Sequence, residues 1–259
     1  SVLLPISGGL DSRTLFVPIQ NKSDVTLSSY DFEDGFLESE TGRILSERFN
    51  IPFYTQIIPR GYLWNKIESF HQFNRFYTDF THPRQVAAIN QLKGLGDVIL
   101  LGHWGDVFFD KQTDSEDYSY DEQLVLLNKK MLKPGGSELA EDLWKYWGIN
   151  GSFESYISDR FDKLYNGINI DHPSARIRAF KSLYWAPRWT SPNLSIFKNI
   201  GEIILPYYND KMCKFICTIP EYYLSDRKIQ IEYIKRKCPD AASIAWQKYH
   251  PMNLYQYQR

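Results

Sequence analysis

An α/β fold is what this chain predicts: a parallel, twisted sheet with flanking helices, followed by a mainly helical C-terminal half. Two observations carry the prediction. Over residues 2–102, short apolar runs alternate with stretches whose apolar residues recur at helical spacing. From about residue 139 the pattern is mainly helical and rich in Trp and Tyr, as in "ELAEDLWKYW" and "IRAFKSLYWAPRW". Strands separated by helices need right-handed crossovers, and those make the strands parallel.

The elements follow in order. "VLLPI" (2–6) reads as a buried strand, and Asp11 to Gln20 as the opening of a helix. "DVTLSSY" (24–30) is a second strand. In "ESETGRILSERFN" (38–50), Ile44, Leu45 and Phe49 share one helical face. "PFYTQII" (52–58) is a third strand. Arg84 to Leu95 reads as a helix with Val86, Ile89 and Leu92 spaced for a core, and "DVILLG" (97–102) as a fourth strand. Ligands of such sheets bind beyond the carboxyl ends of the strands, where the strand order reverses. The turns at 7–12 and 102–106 both leave strands at that edge, so they are expected to face one another across one site. Residues 1–110 are expected to form the α/β core. Residues 111–138, with the acidic "DKQTDSEDYSYDEQ" and the turn "KPGGSE", are expected as a polar, solvated loop. Residues 139–259 are expected to be a helical portion of the same domain, completing the site.

Composition narrows the classes. Of 259 residues, 43% are hydrophobic and 16% aromatic, which excludes a disordered chain. With 30 basic and 31 acidic residues the net charge is −1, without the basic excess of a nucleic-acid surface. No stretch approaches the ~18 apolar residues of a membrane span, and no signal-peptide pattern is present; a cytoplasmic protein is expected. Cys213, Cys217 and Cys238 are odd in number and form no CxxC pair. They suit neither a disulfide framework nor a zinc site, and are expected as buried, reduced thiols. The chain begins directly in a strand and ends at "NLYQYQR" without a clear cap. An upstream domain and a C-terminal lid are therefore expected outside it.

The turn "PISGGLDSRTL" (5–15) carries the chemistry. Gly8 and Gly9 let main-chain amides approach a ligand closely, and Ser7 and Ser12 add hydroxyls. The helix that follows presents unpaired amides. Asp11 repels phosphate unless a divalent cation bridges the two, which is the chemistry of Mg²⁺. The lysine of a Walker A loop is absent. On physics alone, a phosphate seat and an ordinary strand-to-helix turn both remain open.

"SGGLDS" at 7–12 resembles the pyrophosphate loop of the ATP pyrophosphatase (PP-loop) superfamily. Within it, the chain resembles the synthetase domain of glutamine-hydrolysing asparagine synthetases and β-lactam synthetases, from Ser7 to about Lys248. "LLGHWGDVFFD" (100–110) is similar to the second signature: Gly102 and Asp106 match, while His103, Trp104 and Val107 depart from a glutamate, a glycine and a second glutamate. "ILPYYNDKMCKFICTIPEYY" (204–223) is similar to the family's Arg-x-Pro-Phe-Leu-Asp run and the helix behind it; Pro206 is expected to shape a turn and Asp210 to cap the helix. "RKIQIEYIKRKCPDAASIAWQK" (227–248) resembles a Lys-x-x-x-Arg helix and an Arg-x-Lys loop, with Trp246 in the arginine's place.

The resemblance implies a Rossmann-like, adenine nucleotide alpha hydrolase-like fold, with ATP and Mg²⁺ as cofactors. It implies an AMP-forming carbon–nitrogen ligase that adenylates a small carboxylate, aspartate among the candidates, for attack by ammonia or an amine. Asp11 and Asp106 would share the Mg²⁺. Pro5, Ser7, Gly8, Gly9, Asp11, Ser12 and Gly102 would contact the nucleotide, with residues 28–30 as a second adenine wall. Lys248 would offset phosphate charge, Lys228 is the second choice, and His103 would face the intermediate. Arg84, in "HPRQ", is a candidate anion partner for the substrate. The implied partners are ATP, the carboxylate and an upstream glutaminase domain; a homodimer stays open. A catalytically impaired ATP-binding module, an NAD synthetase and a tRNA-modifying enzyme are the alternatives.

Overall fold

Five strands form one parallel sheet in the order β3-β2-β1-β4-β5: β1 (Val2–Pro5), β2 (Val25–Phe32), β3 (Phe53–Ile58), β4 (Val98–Leu100) and β5 (Glu202–Ile204). This computed structural model describes residues 1–35, 37–74 and 82–257. The chain divides into two compact units, Ser1–Asp110 with Arg188–Arg259, and Lys111–Pro187.

The first unit holds the sheet. Leu3, Leu4, Leu27 and Ile99 are fully buried, as strands covered on both faces require. Pro5 is tolerated in a central strand because it is the last residue of β1, and the ladder resumes with Ile6 N donating to Ser28 O at 2.7 Å. Helix α1 (Leu10–Phe16) follows β1, and α2 (Glu40–Phe49) follows β2. A core of Leu3, Ile99, Val86, Ile89, Leu92 and Phe197 covers one face. The helix expected over Arg84–Leu95 is instead two 3₁₀ segments, His82–Ala87 and Ile89–Leu92. The apolar spacing still delivers Val86, Ile89 and Leu92 to the core, because that requirement is met by either geometry.

Strand β5 lies outside the sequence-based expectations. It has only three residues, of which Glu202 and Ile204 are exposed, and such an edge strand leaves no readable periodicity. The second unit corrects the boundary drawn at 138. The stretch read as a polar loop carries the helix Tyr120–Met131, opened by a capping box in which Ser119 and Glu122 satisfy each other's backbone amides. Its Leu127 joins Tyr165, Ile177 and Phe180 in a separate core. Aromatic pairs tie the later helices, including Trp144 with Phe153 and Phe161 with Phe180. Among the described residues, no helix is long and apolar enough to cross a membrane. All three cysteines are free: Cys238 is buried, Cys213 half-buried, and Cys217 exposed rather than buried as expected.

Candidate functional site

The order β3-β2-β1-β4-β5 reverses between β1 and β4, so the crevice beyond their carboxyl ends is the topological switch point. The turn 7–12 leaves β1 and the turn 102–106 leaves β4. They meet there. A Cβ added to Gly105 would fall 2.3 Å from Asp11 Oδ1, and one added to Gly102 would fall 3.1 Å from the Ser12 amide nitrogen. Gly105 is therefore required by close approach, since any side chain would displace the carboxylate.

Asp11 sits in a network of donors. Arg227 Nη1 donates to Asp11 Oδ1 at 2.7 Å and Gln230 Nε2 donates to the same oxygen at 3.1 Å. Arg227 Nε also faces Asp110 Oδ2 at 3.7 Å, while the Asp226 amide donates to Asp110 Oδ1. Below, the buried Tyr207 donates its hydroxyl to the Asp11 carbonyl at 2.8 Å. Pro206 opens the 3₁₀ turn that carries Tyr207, in keeping with its expected role. Burial pushes the Asp11 carboxyl up; Arg227 pulls it back, and the charge of Asp106 raises it further.

The serines serve the turn itself. Ser7 N donates to Ser12 Oγ at 3.1 Å, the two hydroxyls lie 3.2 Å apart, and Gly9 N donates to Ser7 Oγ at 3.3 Å. Gly9 caps α1 without a side-chain acceptor. Gly8 is pressed by Gln247, whose Cβ would be 2.4 Å from an added Cβ, and whose amide donates to the Gly8 carbonyl.

A cleft of about 260 Å³ opens here. Gly9, Leu10 and Asp11 form one wall; Arg227, Trp246, Gln247 and Lys248 form the other. Among the residues the resemblance pointed to, Gly9, Asp11 and Lys248 share this cleft. Lys228 and His103 do not line it: Lys228 Nζ lies 3.6 Å over the Tyr222 ring, and His103 is exposed on the 102–106 turn. Trp246 is buried against Tyr249 and Tyr257. Ser28 and Ser29 are buried in β2, and the Arg84 guanidinium stacks 5.0 Å over the Tyr30 ring. Arg227 and Gln230 were not legible in sequence. Arg227 has φ 61°, and it is this left-handed backbone after Asp226 that turns the side chain to Asp11.

No known family model and no curated protein matches the chain. Among the described residues, no group of three or more His, Cys, Asp or Glu side chains could hold a metal. A zinc-type centre does not fit. Magnesium asks less, because it takes one or two carboxylates together with phosphate oxygens and waters. Asp11 lines the cleft and Asp106 stands exposed on the turn packed against it, so the pair could supply those carboxylates, and Arg227 and Gln230 both bond Oδ1 of Asp11.

Proposed function

We propose that the cleft binds the polyphosphate of ATP, and that the chain is the synthetase portion of an AMP-forming amide ligase of the asparagine synthetase type. The observation that carries this reading is the seating of the 102–106 turn on Asp11, with Arg227 and Lys248 across the same cleft. An acid and two cations lining the cleft beside a glycine turn, with Asp106 on the neighbouring turn, suit a metal-bound phosphate better than any uncharged ligand.

The residues divide the work. Main-chain groups of Gly8 and Gly9 and the Lys248 ammonium would grip the phosphates. Asp11 and Asp106 would hold Mg²⁺, which neutralises phosphate oxygens when bound. Arg227 orients Asp11 and favours its ionised form against the effect of burial. A carboxylate substrate so adenylated would meet ammonia or an amine, with AMP as the leaving group. A binding module without turnover is the second reading, and it is supported by the buried Val107 standing where the resemblance has a glutamate.

Pyrophosphate release from ATP and Mg²⁺, measured with a panel of small carboxylic acids and ammonia, tests both. Turnover is expected, with Lys248→Met lowering kcat about 10²-fold or more. Asp11→Asn and Asp106→Asn are expected to abolish Mg²⁺-dependent ATP affinity with the fold intact. ATP binding without turnover selects the second reading; unchanged affinity in both Asn variants removes the metal assignment.

A further inference from the structure

Behind the turn lies a cation for which the proposed chemistry has no use. Arg13 is 0% exposed. Its Nη1 donates to the carbonyls of Ala241 at 3.2 Å and Ile244 at 3.0 Å. Its Nη2 donates to the carbonyls of Ala245 at 2.9 Å and Gly8 at 3.4 Å. The ion pairs of the described residues include none to Arg13; its two terminal nitrogens bond main-chain oxygens, while its buried Nε has no hydrogen-bond partner. Burial draws its pKa down to about 10. A chain that buries a guanidinium without a counter-ion gains something from the fork itself. The four acceptors identify what. Three belong to the segment 241–245 and one to the glycine turn, and the Gly8 carbonyl also accepts from Gln247 N at 3.2 Å. Lys248 is the next residue.

We infer that Arg13 is a positioning residue, a rigid tie that holds the segment 241–248 against the turn 7–12 and so sets Lys248 in the wall opposite Asp11. Its functional consequence rests on the phosphate reading above; the tie itself does not. The planar fork matters more than the charge, because a lysine ammonium is a point donor that cannot span carbonyls from two segments in one plane. Arg13→Lys therefore keeps the cation and removes the geometry.

Hydrogen exchange on the full chain tests the tie, read at the amides of 241–250 and of β1–β4, for Arg13→Lys and for Arg13→Ala with and without ethylguanidinium. The expected result for Arg13→Lys is exchange faster by about tenfold or more at 241–250 with the strands unchanged. In Arg13→Ala, ethylguanidinium is expected to restore slow exchange and, with it, the kcat lost relative to an unchanged KM for the acid. Exchange at 241–250 that stays slow in Arg13→Lys overturns the tie. A rise spread over all strands in both variants, and not reversed by ethylguanidinium, overturns it as well. Failure of the unsubstituted protein to bind ATP would sink the phosphate reading separately, while the exchange arm still decides whether Arg13 holds the loop.

Discussion

At Trp104 two opposing terms can be compared directly. Its φ is 81°, a left-handed backbone that costs a non-glycine residue about 1–2 kcal/mol. The resemblance places glycine at this position, and the backbone still has a glycine's shape. The indole is 6% exposed and its ring lies 5.8 Å from that of Tyr208. Emptying a buried Trp site costs about 3–5 kcal/mol, which exceeds the strain. Trp104→Gly is therefore expected to lower stability by about 2 kcal/mol or more, read from the urea midpoint at unchanged slope. A neutral outcome would mean that the ring packs for nothing. Arg227 poses the same balance at the cleft: consecutive left-handed residues, Asp226 and Arg227, are held by a hydrogen bond from the Asp226 amide to the Asp110 carboxylate and an ion pair from Arg227 to Asp11. Strain held by acids at a cleft mouth is the kind that persists where a site needs it.

Among the elements, the helix starts show what local chemistry decides. The helix Asp210–Thr218 is capped by Asn209, whose Oδ1 accepts from Lys211 N at 2.9 Å, and not by Asp210, which was expected in that role. The cap must stand one residue before the first helical position, and Asp210 already occupies that position. Asn209→Ala is expected to cost about 1 kcal/mol, with Asp210→Ala costing less; equal losses in thermal melts would return the cap to Asp210. The capping box at Ser119 gives a pH prediction. Its hydrogen bonds hold the Glu122 carboxyl below its ordinary value of 4.5. A depressed acid stabilises the native state above the unfolded value and loses that contribution as pH falls through the native one. Fraying of the helix Tyr120–Met131 is expected below about pH 4.5, and Glu122→Gln should flatten it; an amide-exchange profile at Gln123 without pH dependence would disprove the assignment. This helix was missed in sequence because acidic residues at its start outweighed the Leu spacing behind them. The S-x-x-E pattern before "QLVLL" was the signal that could have found it.

For the molecule as a whole, the site follows from topology. Apolar runs announced β1 to β4, and with them the edge where two glycine turns must meet. That was legible because parallel strands leave little choice of which ends carry the connecting turns. Arg227, Gln230 and Arg13 were not legible, since each depends on contacts formed across about two hundred residues: Asp11 to Arg227, Asp11 to Gln230, Arg13 to Ala241. The division of the chain was not legible either, and it has its own consequence. Every residue named for the cleft lies in Ser1–Asp110 or Arg188–Arg259, while Lys111–Pro187 is one continuous piece. That piece owns a core. Leu127, Tyr165, Ile177 and Phe180 are at most 1% exposed, and the side chains packed around them also come from within it. Tyr165 donates to Gln123 at 2.6 Å, and Arg176 stacks 4.5 Å over the Tyr165 ring while donating to its carbonyl. A continuous segment with its own core is expected to fold alone, though with the small margin of a short domain. The isolated peptide 111–187 is expected to be helical by circular dichroism and to melt cooperatively, and Tyr165→Ala to abolish the transition by removing about 3–5 kcal/mol. A broad, non-cooperative melt of the unsubstituted peptide would mean that its core is not sufficient by itself.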